Sequence, residues 1–177
     1  MKRLYLPLIL FVFVILEGVA IELLPSDLVM NNLLIIPHWV FVFLLYMAIF
    51  YDSDHTYFSV LYGAIFGMLI DIVYTGVLGV YMFAYAFTIY LLHGISKFVH
   101  GNIHVTILLG IIGIMFADFI IYLIFSVVGL TDMVLANYLL YRMVPTILAN
   151  LLLLIVLYPI IKNRLIKWQD DQISKTN

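Results

Sequence analysis

The chain has 177 residues, of which 66% are hydrophobic and only 10% charged, and its mean hydropathy is +1.20, against roughly 25% charged residues in an ordinary soluble domain. That composition excludes a water-soluble fold, and six spans of about 20 residues each would leave only short connections and no separate soluble domain. A formal charge of −2 gives no case for nucleic acid, and the absence of cysteine excludes disulfides, thiolate metal sites and Cys nucleophiles.

In chain order, the uninterrupted apolar stretches predict an all-α, polytopic membrane bundle of six transmembrane helices within a single domain covering residues 1–177. Lys2-Arg3 opens the first span, residues 4–24. Its start also reads as a cleavable signal peptide, but the apolar character resumes past Ala20 and Glu17 interrupts the run, so an uncleaved span is expected. The second span is 33–51, with His38 between Pro37 and Trp39 read as an interfacial residue, as is His55 in the next loop. The third is 57–73 and the fourth 80–96, which contains His93 without a pattern to explain it. The fifth is 105–128, the sixth 137–161, and 162–177 is a basic tail whose Trp168, near Lys162, Arg164 and Lys167, suits an interfacial anchor. Turn or polar clusters separate the spans: Pro25-Ser26-Asp27, Asp52-Ser53-Asp54-His55, Tyr74-Thr75-Gly76, His100-Gly101-Asn102 and Thr131-Asp132.

Basic residues are retained on the cytoplasmic side. An inner N-terminus places Lys2, Arg3, Lys97, Lys162, Arg164, Lys167 and Lys175 inside and leaves the outer loops without Lys or Arg, so both termini are expected in the cytoplasm.

Glu17, Asp71, Asp118 and Arg142 fall within spans or at their ends, where a charge at mid-bilayer costs about 2.5–3.5 kcal/mol. At about 1.5 Å per residue all four lie in the outer half, so Arg142 is expected to pair with one or more of the carboxylates. Two readings follow: an ion-pair network that fixes helix positions, or a polar pocket open to the outer face. Pro145 removes the hydrogen bond to the Tyr141 carbonyl and predicts a bend near this layer. Thr146 and Asn150 extend Arg142 into a polar stripe at spacings of four, of the kind that faces other helices. Gly63 and Gly67 form a small-xxx-small pair that Asp71 extends by one turn, expected to pack inside the bundle. The apolar outer connection that follows, with Tyr74, Thr75, Gly76, Gly79 and Tyr81, has the glycines to fold back into the bundle. His100 and His104 have metal-site spacing, but Gly101-Asn102 breaks the helix and no third ligand lies nearby. No metal, cofactor or catalytic residue is expected, since no nucleophile elbow, zinc-protease, phosphate-loop or deaminase signature occurs.

Two segments carry a resemblance. Gly63-Ala64-Ile65-Phe66-Gly67-Met68-Leu69-Ile70-Asp71, leading into Tyr74 through Phe83, and later Arg142-Met143-Val144-Pro145-Thr146-Ile147-Leu148-Ala149-Asn150, resemble the MreD family of bacterial rod shape-determining membrane proteins. The likeness extends over nearly the whole chain, including Glu17 and Asp118. It implies a non-catalytic scaffold in the inner (cytoplasmic) membrane, within the complex that directs lateral wall synthesis. The implied partners are MreC, with the actin-like MreB, the RodA glycosyltransferase and a penicillin-binding transpeptidase. It also implies a fold like the substrate-binding subunits of energy-coupling vitamin transporters. No catalytic residue is carried over. The competing expectations are a small-molecule, vitamin-like binding subunit of a transporter using the outer-half pocket, and an intramembrane hydrolase with a carboxylate base.

Overall fold

The computed structural model describes residues 5–23, 33–53, 55–99 and 101–173. The expectations placed on Lys2, Arg3, Pro25-Ser26-Asp27, Asp54, His100 and Lys175 lie outside the described residues. What is described is helical, with no strand: α1 (Tyr5–Glu22), α2 (Trp39–Phe50), α3 (Phe58–Ile70), α4 (Val80–Ser96), α5 (Ile103–Val127), α6 (Leu135–Tyr138) and α7 (Val144–Ile173). Two π-helical turns, Asp71–Thr75 and Leu139–Met143, continue α3 and join α6 to α7. Four helical runs are long and apolar enough to cross a bilayer, Tyr5–Glu22, Phe58–Thr75, Ile103–Val127 and Leu135–Asp171, while Trp39–Phe50 and Val80–Ser96 are shorter apolar helices.

The stretch expected as one span over 33–51 is helical only from Trp39. Residues 33–38 are non-helical because Pro37 lacks an N–H and disfavours the α region for Ile36 before it. At 1.5 Å per residue the twelve residues of α2 reach about 18 Å, against a hydrocarbon core of about 30 Å. Ten of the twelve are buried, and α2 packs against α1, α3, α4, α5 and α7. A helix that is apolar all round is one enclosed on every side, so α2 is the axis of the bundle. In lipid, apolar burial between helices gives little driving force, and close packing with internal hydrogen bonds must hold the helices together.

The contacts sort into two ends. At one, the close of α1 meets the start of α2 and the close of α3 meets the start of α4, while Asp118 of α5 meets Arg142 just before α7. At the other, Tyr5 stacks on Trp168 with ring centroids 6.0 Å apart, Asp52 carbonyl accepts from Gln169, and Gly101 lies against Phe50. Lys97, Lys162, Arg164 and Lys167 belong to this second, basic end. Among the described Lys and Arg residues, Arg142 alone lies at the first. The basic tail expected from 162 is helical through Ile173. Leu165 is buried on the same side and Trp168 packs on Tyr5, so this part of α7 docks on the protein itself.

The α3–α4 pair is brought together by the Gly63/Gly67 face. A Cβ on Gly67 would lie 2.6 Å from the Tyr81 carbonyl oxygen and 2.7 Å from Met82 Cα, and one on Gly63 would sit 3.4 Å from Ala86 Cα. The turn that closes the pair uses two left-handed residues, Gly76 at φ 69° and Gly79 at φ 96°, a region that costs L side chains roughly 1–2 kcal/mol.

Candidate functional site: a buried polar layer

Each expected polar residue has a defined position, and the acids divide into two roles. Asp118 is the hub. Arg142 donates to its Oδ1 from Nη2 at 2.9 Å and Nε at 3.3 Å, and Tyr138 donates to Oδ2 at 2.9 Å. His38 Nε2 lies 3.4 Å from Oδ1, and its Nδ1 is 2.8 Å from the Tyr85 hydroxyl. A carboxylate facing a guanidinium only accepts, so His38 carries its hydrogen on Nε2 and receives one from Tyr85. Tyr138 is held by stacking on Tyr122, with centroids 3.9 Å apart.

Glu17 and Asp71 do not pair with Arg142 as the shared depth suggested. Both instead cap the starts of neighbouring helices inside the bundle. The Val40 N–H donates to Glu17 Oε1 at 2.8 Å, so α1 supplies a cap to α2. Asp71 accepts from the N–H groups of Gly79 (2.9 Å), Tyr81 (2.9 Å) and Met82 (3.2 Å), so the end of α3 caps α4. The physical reason is that the first N–H groups of a helix have no intrahelical partner and carry partial positive charge. Inside lipid that deficit must be met by protein, and a carboxylate meets it without a cation. Asp52, outside the spans, does the same for α3, accepting from Phe58 N–H, Ser59 N–H and the Ser59 hydroxyl. Burial nevertheless holds the Asp52 carboxyl above its ordinary pKa, against the downward pull of these donors.

The polar stripe on α7 faces the extended segment. Asn150 Oδ1 accepts from His38 N–H at 2.7 Å, and its Nδ2 donates to the Ile36 carbonyl at 2.8 Å. Thr146 Oγ1 accepts from Ile36 N–H at 3.1 Å. The Leu34 N–H donates to the Tyr141 carbonyl at 2.8 Å. That carbonyl is the one Pro145 leaves without a helical donor, so the proline that widens the helix into a π-turn also opens a docking point for residue 34. Irregular backbone at membrane depth survives only where protein satisfies it, and here the Thr146 and Asn150 side chains, about one turn of helix apart, act as the neighbouring strand.

His38, Tyr85 and Tyr138 were missed by sequence pattern. His38 is fully buried at the centre of the layer, not interfacial. The signal was available: an ionisable residue after Pro37 inside an apolar stretch belongs to the intramembrane class. The tyrosines carried no spacing cue. Of the outer connection, Tyr74 donates to the Val14 carbonyl at 2.8 Å and Tyr81 is buried beside His38, with ring centroids 6.3 Å apart, so the loop does fold back onto the bundle. Thr75 accepts from Val77 N–H at 3.2 Å within the turn. No group of three or more His, Cys, Asp or Glu that could hold a metal occurs among the described residues.

A family model described as rod shape-determining protein MreD matches residues 1–167. The Rod shape-determining protein MreD of Bacillus subtilis (strain 168) is 31% identical over 157 residues, covering 89% of this chain and 90% of that protein. No solved structure matches the chain. With four bilayer-length apolar helices on a continuous match to the family model, this membrane protein belongs to the MreD family and has a role in rod cell shape.

Proposed function

We propose that the chain is a non-catalytic scaffold of the cell-elongation complex, crossing the inner membrane six times with both termini in the cytoplasm. Its described Lys and Arg residues other than Arg142 gather at one end, which supports a cytoplasmic assignment for that end. In this reading it binds the MreC span and links MreB filaments to RodA and a penicillin-binding transpeptidase.

The observation that carries the scaffold reading is that the polar layer is consumed internally. Glu17, Asp71, Asp118, Arg142 and Asn150 all bond to groups of their own chain. Residues 34–38 bond to Thr146 and Asn150 within this layer, which favours a structural role for it. Partners are left the outward helix faces. One of these is a groove of about 460 Å³ at the polar-layer end of α1, lined by Ile15, Gly18, Val19, Leu23 and Tyr74 with Glu22 at its side. It is apolar and open along its length, which suits a single partner helix.

Photocrosslinkers at Val19 and at Leu152, on the far face of α7, test this in native membranes. Capture of MreC from Val19 and not from Leu152 is expected. Capture of MreC from Leu152 alone rejects the α1 groove, and an energising ATPase in place of MreC rejects the scaffold.

A further inference from the structure

The outward face of α1 carries a pattern that contact with lipid alone does not explain. One stripe of the helix is turned into the bundle, where Leu6, Leu10, Val14 and Glu17 are buried. The opposite stripe repeats as a heptad seam: Leu8, Phe11 and Ile15, each half exposed or more, then Gly18 and last Glu22. These steps of three and four are those by which two helices interlock at about 20°. The seam runs into the groove described above, whose walls include Ile15, Gly18, Glu22 and Tyr74. Gly18 shapes that groove: a Cβ there would lie 2.8 Å from the Tyr74 ring, which is held by its bond to the Val14 carbonyl.

Apolar side chains on such a face sit as well in lipid as against a helix, so they do not identify an occupant. Glu22 does. It is exposed on the seam and bonds to nothing among the described residues, and it ends α1, whose last turn holds no basic residue. The carbonyl end of a helix is itself partly negative, so the acid and the helix dipole call for a cation at the same point. The described chain has none to offer there: of its Lys and Arg residues only Arg142 lies at this end, and Asp118 holds it. While the groove is open, water and headgroups solvate the carboxylate. A partner helix that covers it removes that solvation and must bring a cation in its place. A second copy of the chain does not answer this, because a symmetric pair through the seam sets Glu22 against Glu22 and the like charges oppose it.

We propose that the α1 seam docks a single membrane-spanning helix of another protein, one whose own apolar heptad seam closes on a Lys or Arg placed to meet Glu22. This rests on the reading above that the α1 groove receives one partner helix, and adds what that helix must carry. Glu22 is then a specificity residue, admitting helices with a cation at that end and rejecting apolar or acidic ones.

The test titrates the full chain in lipid nanodiscs with synthetic leucine–alanine helices of about 20 residues, labelled for energy transfer and carrying Lys, Leu or Glu at the last seam position. The Lys helix is expected to bind roughly three- to tenfold tighter than the Leu helix, the size of one polar contact between helices in lipid, and the Glu helix weakest. Glu22→Lys should reverse the order of the Lys and Glu helices, and Glu22→Gln should flatten it. Both variants should melt with the parent, since Glu22 is exposed and bonds to no described residue. A photocrosslinker at Val19 should capture the Lys helix and one at Leu152 should not. Equal binding of the three helices, an order that Glu22→Lys leaves unchanged, or a Val19 crosslink to a second copy of the chain would each overturn the proposal. The scaffold reading is separable: MreC captured at Val19 with equal yield in the parent and in Glu22→Lys keeps that reading and removes this one. Charge reversal among the synthetic helices without capture of MreC does the opposite.

Discussion

Asp118 and Arg142 are each more than four-fifths buried and hold one another at 2.9 Å. Removing one partner of such a pair leaves an uncompensated charge, at a cost of about 3–5 kcal/mol, whereas replacing both with apolar side chains is often close to neutral. Asp118→Asn and Arg142→Met should therefore each lower the melting point of the detergent-purified protein sharply. The double variant Asp118→Leu/Arg142→Met should melt above either single one; a simple sum of the two losses would deny the pairing its role. Pro145→Ala gives a second residue-scale prediction, against propensity. Taking proline out of a helix interior ordinarily gains about 3 kcal/mol. Here the new N–H competes with Leu34 for the Tyr141 carbonyl, so melting shows no gain. Asp52 supplies the pH dependence. Its folded pKa lies above its ordinary value of 3.8 because burial disfavours the charge, so between the two values the native state binds the proton that the unfolded chain releases. The fold is thus more stable at pH values below this window and loses that increment as pH rises through the folded pKa. Melting curves across mild acid should show this slope in the parent and lose it in Asp52→Asn.

At the scale of elements, the α3–α4 pair makes the sharpest prediction. Gly67→Ala drives a Cβ into backbone on α4, where neither neighbour can rotate away, and should cost about 1–3 kcal/mol or more. Gly63→Ala, one turn earlier, meets ordinary spacing and should stay within about 1 kcal/mol of the parent because alanine also favours the helix. Comparing the two melting points separates close approach from general packing. The Gly63/Gly67/Asp71 row was legible in the sequence as a packing face with a carboxylate at its end. What that carboxylate binds was not, because the amides of Gly79, Tyr81 and Met82 have no side-chain signature. The same reason explains Glu17: a pattern of side chains reveals which residues are ionisable but hides the backbone donors that compete with Arg142 for them. The break in the second apolar stretch was signalled by Pro37, yet apolar residues on both sides of it concealed the change from extended chain to helix.

Over the whole molecule, hydropathy made all six helical regions legible, since placing so many apolar residues in protein or in lipid leaves few other choices. It could not separate α2 from a lipid-facing span, because a helix wrapped in protein and one wrapped in lipid are equally apolar. The enclosed α2 is tied to α7 through Asn150, and that tie can be tested at a distance. Asn150→Leu keeps the volume but leaves the His38 amide and the Ile36 carbonyl without their partners, each worth about 1–3 kcal/mol when buried. A cysteine placed at Ile36, in the otherwise cysteine-free chain, should resist a water-borne thiol reagent in the parent and react in the Asn150→Leu background.

The extended segment also bears on how the protein is made. The acceptors of the Leu34, Ile36 and His38 amides lie more than 100 positions later in the chain, at Tyr141, Thr146 and Asn150. At about 5–20 residues per second, a ribosome reaches them roughly 5–20 s after residue 36 has been synthesised. Through that interval α2 is too short to span lipid alone and the amides of Leu34, Ile36 and His38 ahead of it lack their later acceptors, so it has to wait at the bilayer surface or in the insertion machinery. The helix at the axis of the finished bundle is then among the last to take its place, and a ribosome stalled before Asn150 would leave a product in which the His38 amide has no acceptor.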